Sequence, residues 1–424
     1  MCHLHYLIII QSIKENMRLF KQFTLLAAAL LLTACTTETL IDRPDTDTDN
    51  GIADDSRREV LLMLKNRLSI KAATTKSGTI ATAQENYIRS MDIYVFGSDK
   101  EDGEYTFHKL YYYRDDATQV AGDFAHPFNL TVTPGENSSA ALLKLDKGLF
   151  VKVYCIANRT RLYQTDAAGV AREYIRFQPL IQSAPGQPGN KIDPGYPSEK
   201  EFLKLHACPI DPAANPPTEN DILQTPLPMS GFYTTPLDLT NFGLSARTQI
   251  SLKLNRMTAR FDIVNNAALS RFTIKQVSMV NGQRSAGFFP IRALDTEKAK
   301  LISYPSRSIN ADTQQAENPD AIPPTTAVTW GGFYTWPSLK GDDGYLVLKG
   351  IYAVNETETL PVSYKVPFIQ ICDGAGSYIE VDANHRYTIA ITDADPYHLG
   401  FSFSITEWSD DNEIDWNPIP VITD

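Results

Sequence analysis

Cys35 is the side chain in this 424-residue sequence whose neighbours specify a reaction. It ends the stretch Leu32-Thr33-Ala34-Cys35, behind the cationic Arg18 and Lys21 and an apolar run that closes at Leu32. A charged start, an apolar middle and small residues before a cysteine form a bacterial lipoprotein signal: a peptidase cuts ahead of the thiol, which carries the lipid. The apolar run is shorter than the roughly 20 residues of a bilayer-spanning helix, and polar sequence follows at once, so a transmembrane anchor fits less well. The expected arrangement is a signal peptide over 17–35, initiation at Met17, and a mature chain beginning at a lipid-bearing Cys35. Cys2, His3 and His5 lie upstream of that start and are given no role.

The remaining side chains capable of chemistry are dispersed. His108, His126, His206, His385 and His398 form no His-x-x-x-His pair, and no Cys-x-x-Cys is present, so a zinc site is not expected. Gly374-Ala-Gly376 lacks the third glycine of a phosphate cradle, and there is no Gly-x-Ser-x-Gly elbow. The pairs Asp115-Asp116, Asp342-Asp343 and Asp410-Asp411 fall in turn-like stretches, where carboxylates cap backbone rather than share a proton. Asp45, Asp47 and Asp49 imitate the start of a calcium loop, but Asn50 and Ser56 stand where glycine and glutamate are needed. Trp330, Trp336 and Tyr111–Tyr113 could stack on sugars, although their spacing is that of strand residues facing a core. The expectation is a protein that is not an enzyme and uses no cofactor and no metal.

Strands are the elements available to position anything in this chain. After a polar, acidic tether over 36–58 comes Val60-Leu-Leu-Met-Leu64, apolar on both faces. Val60, Leu62 and Leu64 share one face and Leu61 and Met63 the other, which predicts a buried strand rather than an edge, with a helix as the competing reading. Lys71-Ala-Ala-Thr-Thr-Lys-Ser-Gly78 then reads as an accessible linker. Strands are predicted at 90–96, 105–113, 128–132, 140–144 and 149–157, where aromatic and β-branched residues alternate between turn residues. From 159 to about 240 the pattern predicts long loops suited to contact surfaces, with a short helix at 198–205. A second set is predicted to open at Thr248, with Ile250–Leu254 alternating, followed by 257–264, 272–280, 327–330, 345–352, 360–367, 386–391 and 401–408. The fold class is therefore all-β: two β-sandwich domains in tandem, at 59–245 and 246–424.

Bulk properties agree with export. A formal charge of −11 with no dense Lys/Arg cluster excludes nucleic acid as a partner. Beyond Cys35 only Cys155, Cys208 and Cys372 remain after the signal, so free buried thiols are expected and the apolar cores must carry the stability.

Several phrases, in this order, resemble the fimbrillin family, the pilins and accessory lipoproteins of type V pili. They are Ser90-Met-Asp-Ile-Tyr-Val-Phe96, Val153-Tyr-Cys-Ile-Ala-Asn158, Pro228-Met-Ser-Gly231, Leu252-Lys-Leu-Asn-Arg-Met-Thr-Ala-Arg-Phe-Asp-Ile263, Gly332-Phe-Tyr-Thr-Trp-Pro-Ser338, Asn384-His-Arg-Tyr-Thr-Ile389 and Phe403-Ser-Ile-Thr-Glu-Trp408. The resemblance implies transthyretin-like sandwiches, export to the outer membrane and cell surface, and assembly by strand exchange. A trypsin-like surface protease would cut after the first strand, at Arg67, Lys71 or Lys76. Val60, Leu62 and Leu64 would belong to the displaced strand. Ile414, Trp416, Ile419 and Val421 would belong to a donor strand filling the gap in another pilus subunit, with Pro418 and Pro420 interrupting its alternation. The function so implied is a structural subunit of an adhesive pilus, tied to the outer membrane through Cys35 before processing. The alternatives are an anchor or tip subunit and, from another class, a glycan-binding surface lipoprotein.

Overall fold

The computed structural model describes residues 57–64, 84–132, 139–159, 161–185, 189–211, 222–241, 248–294, 296–309, 328–372, 375–408 and 419–421. Nineteen strands build four sheets, packed as two sandwiches, with short hairpins at their margins.

The first sandwich contains β1 (Arg57–Leu64), β2 (Ser90–Ser98), β3 (Thr106–Arg114), β4 (Ala125–Pro127), β5 (Thr131–Val132), β6 (Ser139–Asp146) and β7 (Phe150–Ala157). β8 (Met229–Asp238), β9 (Thr248–Leu252) and β10 (Asn255–Arg256) complete it. One sheet runs β9-β1-β6-β5 and the other β10-β8-β7-β2-β3-β4. Period-two alternation turns Met91, Ile93 and Val95 of β2 toward Val60, Leu62 and Leu64 of β1 in one core. Every residue of β2 is nevertheless buried, because the opposite face of its sheet is also covered.

That cover comes from the segment read as open loops. Helix α1 (Glu199–Phe202) starts at a capping box in which Ser198 and Glu201 satisfy each other's backbone N–H. It drops Phe202 onto Tyr94 and Phe96, ring centres 4.9 Å apart in both cases. Phe177 packs on Phe107 at 4.9 Å, and Phe289, from the second half, packs on Tyr154 at 5.0 Å. Much of the stretch from 159 to 240 is therefore an aromatic lid on the six-stranded sheet rather than free contact surface.

The second sandwich contains β11 (Ala259–Asn265), β12 (Phe272–Val280), β13 (Arg307–Ser308), β14 (Val328–Thr335), β15 (Tyr345–Ala353), β16 (Thr359–Pro367), β17 (His385–Ala394), β18 (Leu399–Glu407) and β19 (Ile419–Val421). Its sheets run β14-β11-β17-β18-β19 and β13-β12-β15-β16. Phe261 stacks between Phe368 at 4.9 Å and Tyr387 at 5.0 Å in its core. Trp336 is fully buried, and Tyr111 and Tyr112 are buried in the first half, so these aromatics are core residues. Cys155 and Cys208 are buried and form no disulfide.

One expectation needs correction. The strand Thr248–Leu252, expected to open the second sandwich, closes the first: it pairs in parallel with β1, from Val60↔Thr248 to Leu64↔Leu252. β10 follows on the edge beside β8, so the strands of the first sandwich run on to Arg256. The reason is geometric. Alternation of Ile250 and Leu252 shows that a strand has one buried face but does not name the core that buries it.

Candidate functional site

The position of β1 defines the site. Its alternation is strict on the inward side, where Val60, Leu62 and Leu64 are 0% exposed, while Leu61 and Met63 on the outer face are half-buried. β1 is an internal strand: it lies antiparallel to β6, from Arg57↔Asp146 to Leu64↔Ser139, and parallel to β9 on its other side. Removing it would strip backbone partners from two strands at once and open an apolar trough. The three inward side chains represent roughly 1.5–3 kcal/mol each of burial that an incoming strand could recover.

An ionic group lies beside the first residue of β1. Arg57 Nε lies 3.5 Å from Asp146 Oδ1, while the other carboxylate oxygen meets His108 Nε2 at 3.1 Å and Lys109 Nζ at 2.8 Å. Burial alone would raise the Asp146 pKa, but the adjacent His108 imidazole and the Lys109 ammonium outweigh it and hold the carboxyl well below its usual range. Arg57 is half exposed, so its share of this contact is weak and easily given up.

Arg67, Lys71 and Lys76, expected to be sites of processing, lie outside the described residues, as does the lipidation residue Cys35. Ile414 and Trp416 of the expected donor strand also lie outside them. Ile419 and Val421 are placed in β19, at the edge of the chain's own second sandwich, with Ile419↔Phe403 and Val421↔Phe401 in register. Pro420 stands opposite Ser402, a position that an edge strand tolerates when the proline nitrogen points away from the ladder. The structure thus does not bring the two halves of the expected exchange together: β1 fills its own slot and the end of the tail pairs on its own body.

The histidines occupy separate places. His108 joins Asp146, whereas His206 is buried between Thr165, at 3.2 Å, and Ser285, at 3.4 Å. His385 opens β17, bonded to the Ala383 carbonyl, and His398 lies in the loop between β17 and β18, bonded to Asp395.

Sequence reasoning missed β8, which forms the side of the six-stranded sheet next to β10. A signal was present in Met229-Ser-Gly231. A Cβ on Gly231 would stand 2.2 Å from the Lys253 carbonyl oxygen, so glycine is needed where β8 passes under the β9–β10 corner. Also missed was a buried ionic cluster around Arg260 and Asp262. Two charged residues at spacing two, inside the apolar strand Ala259–Asn265, were the available sign of it.

No family model matches this chain, and no curated protein matches it. Among solved structures, the tip fimbrial protein Mfa3 of Porphyromonas gingivalis, with a C-terminal truncation, is similar at 14% identity, covering 82% of this chain and 100% of that one, with a TM-score of 0.44. The fimbrial anchor protein Mfa2 of the same organism is similar at 9% identity, covering 83% of this chain and 98% of that one, with a TM-score of 0.32. A candidate cell adhesion protein of Parabacteroides distasonis is similar at 13% identity, covering 85% and 99%, with a TM-score of 0.43. Likeness at this level assigns no role to any residue here.

Proposed function

We propose that this chain is a non-enzymatic structural subunit of an adhesive cell-surface pilus, of the fimbrillin kind. It is exported as a lipoprotein through Cys35 and carried to the outer membrane. A trypsin-like protease then cuts at Arg67, Lys71 or Lys76, β1 leaves, and the C-terminal segment of a neighbouring subunit, with Ile414, Trp416, Ile419 and Val421, enters the slot. In this reading 17–35 is the signal, 36–58 a tether, and two sandwich domains follow, meeting close to Arg256.

The observation that carries the reading is the enclosure of β1 between β6 and β9 with three fully buried side chains. Such a strand is the last element a sandwich should be able to lose, unless an equivalent strand replaces it. The test is the mature N-terminus of the surface form, read by mass spectrometry. A start beyond Arg67, with Arg57–Leu64 absent, is the expected result. A lipid-bearing Cys35 on a chain that retains β1 would instead describe an anchor.

A second reading, a tip subunit, is favoured by the pairing of β19 with β18 in its own sandwich. A tail so engaged is not free to donate, and a tip has no further subunit to fill.

A further inference from the structure

The residues that follow the linker are pinned one after another, to both sandwiches. Glu85 is 1% exposed. Its two carboxylate oxygens accept from Arg260 Nη1 at 2.9 Å, and Oε1 also accepts from the Tyr334 hydroxyl at 2.6 Å. Arg260 Nε donates to Asp262 at 2.8 Å, and Arg386 donates to the other oxygen of Asp262. Burial opposes the Arg260 charge, but the Asp262 and Glu85 carboxylates outweigh it and raise the guanidinium above its ordinary range. These partners stand on β11, β14 and β17, so Glu85 is fixed to the five-stranded sheet of the second sandwich.

The next four residues are held by the first sandwich, the first of them through an arginine that reaches on to the second. Asn86 accepts from Arg256 Nη2, and Arg256 Nη1 donates to the Trp408 carbonyl at 2.8 Å. The same guanidinium lies 4.6 Å from the centre of the Trp408 ring, which stacks on Tyr334 at 5.9 Å. Trp408 is the last described residue before the C-terminal segment. Tyr87 donates to Asp115, and Ile88 enters the core of the first sandwich. Arg89 is exposed at its side chain, yet its N–H donates to Asn158 Oδ1 at 2.8 Å and its carbonyl accepts from Asp115 N at 2.9 Å.

We infer that Glu85–Arg89 is a clamp that halts proteolytic processing at the end of the linker and keeps the sandwiches joined when β1 departs. Through Arg256 and Trp408 the same clamp also grips the base of the C-terminal tail. A trypsin-like protease needs an extended, unpaired backbone around its target, and Arg89 offers the right side chain on a backbone bonded from both sides. A cut there would sever Glu85 from β2 and undo the joint. Buried ionic groups cost more than apolar packing would, but they accept only one geometry, which is what a fixed stop requires. The role after processing rests on the proposed removal of β1; the protection of Arg89 does not.

The test is a trypsin time course on the full-length chain, read by mass spectrometry. In the wild-type protein the linker is cut to completion while the bond after Arg89 survives. Glu85→Gln raises cleavage after Arg89 by about ten- to a hundredfold, the scale expected from losing a buried charge-assisted bond. Tyr334→Phe, which keeps the ring on Trp408, gives a smaller rise in the same direction. Hydrogen exchange of the amides from 85 to 90 stays equally slow before and after linker cleavage, a readout that needs no variant. Cleavage after Arg89 as fast as in the linker in the wild-type chain, or faster exchange there once the linker is cut, overturns the clamp. Equal protection of Arg89 in both folded variants overturns it too. Protection of Arg89 with Arg57–Leu64 still bound supports the clamp and counts against strand removal alone.

Discussion

Asp92 lies near the start of β2, between the Ile156 and Tyr112 positions of its neighbours, and faces Arg114 at 2.7 Å. Burial raises its pKa to about 6, with the Arg114 charge opposing the shift. The folded-state pKa exceeds the unfolded one, so this carboxyl favours folding fully below pH 4, and that contribution is lost as pH rises through about 6. Urea unfolding between pH 4 and pH 7 should therefore show the stability of Asp92→Asn improving relative to wild type as pH rises. A difference independent of pH would mean that Asp92 is ionised throughout. On the inward face of β1, Leu62→Ala should lower unfolding stability by about 3 kcal/mol, the usual cost of a buried leucine truncation, measured by denaturant titration. That Val60–Leu64 forms a buried strand was legible in the sequence, because both its faces are apolar; for the same reason the sequence could not say which face points into the core. The clamp residues were not. Glu85 and Asn86 read as ordinary polar residues at the end of a linker, since their partners are 170 and 175 or more positions away.

At the scale of elements, strands were read well where both flanks carried turn residues, as for Phe272–Val280 and Tyr345–Ala353. They were misplaced or missed where the pairing is distant. β9 needed its parallel partner β1, and β8 was hidden by a register shift between Tyr233 and Leu237 that breaks its alternation. One edge of the second sandwich is defended against strand addition. β16 is a nine-residue edge, but Pro361 and Pro367 occupy positions of the same parity, opposite Ile351 and Tyr345 of β15. Prolines whose nitrogens face outward present no N–H to a newcomer, so this edge is defended. β6 and β9 contain no proline, so removal of β1 would expose two undefended neighbours.

For the whole molecule, the consequence is a division of labour. The second sandwich and the aromatic lid around Phe202 and Phe289 hold the six-stranded sheet from outside, and the Glu85–Arg260 pair ties the joint. In the proposed exchange, these contacts hold the rest of the molecule together while the four-stranded sheet gives up β1. The most direct test is electrophoresis in SDS without reduction after limited trypsin treatment of the full-length chain, beside a variant truncated before Ile414. A ladder of boil-resistant oligomers from the full-length chain, absent in the truncated variant, is the predicted result. A single monomeric band that still carries Arg57–Leu64 after complete linker cleavage would contradict the exchange of β1 for a donor strand.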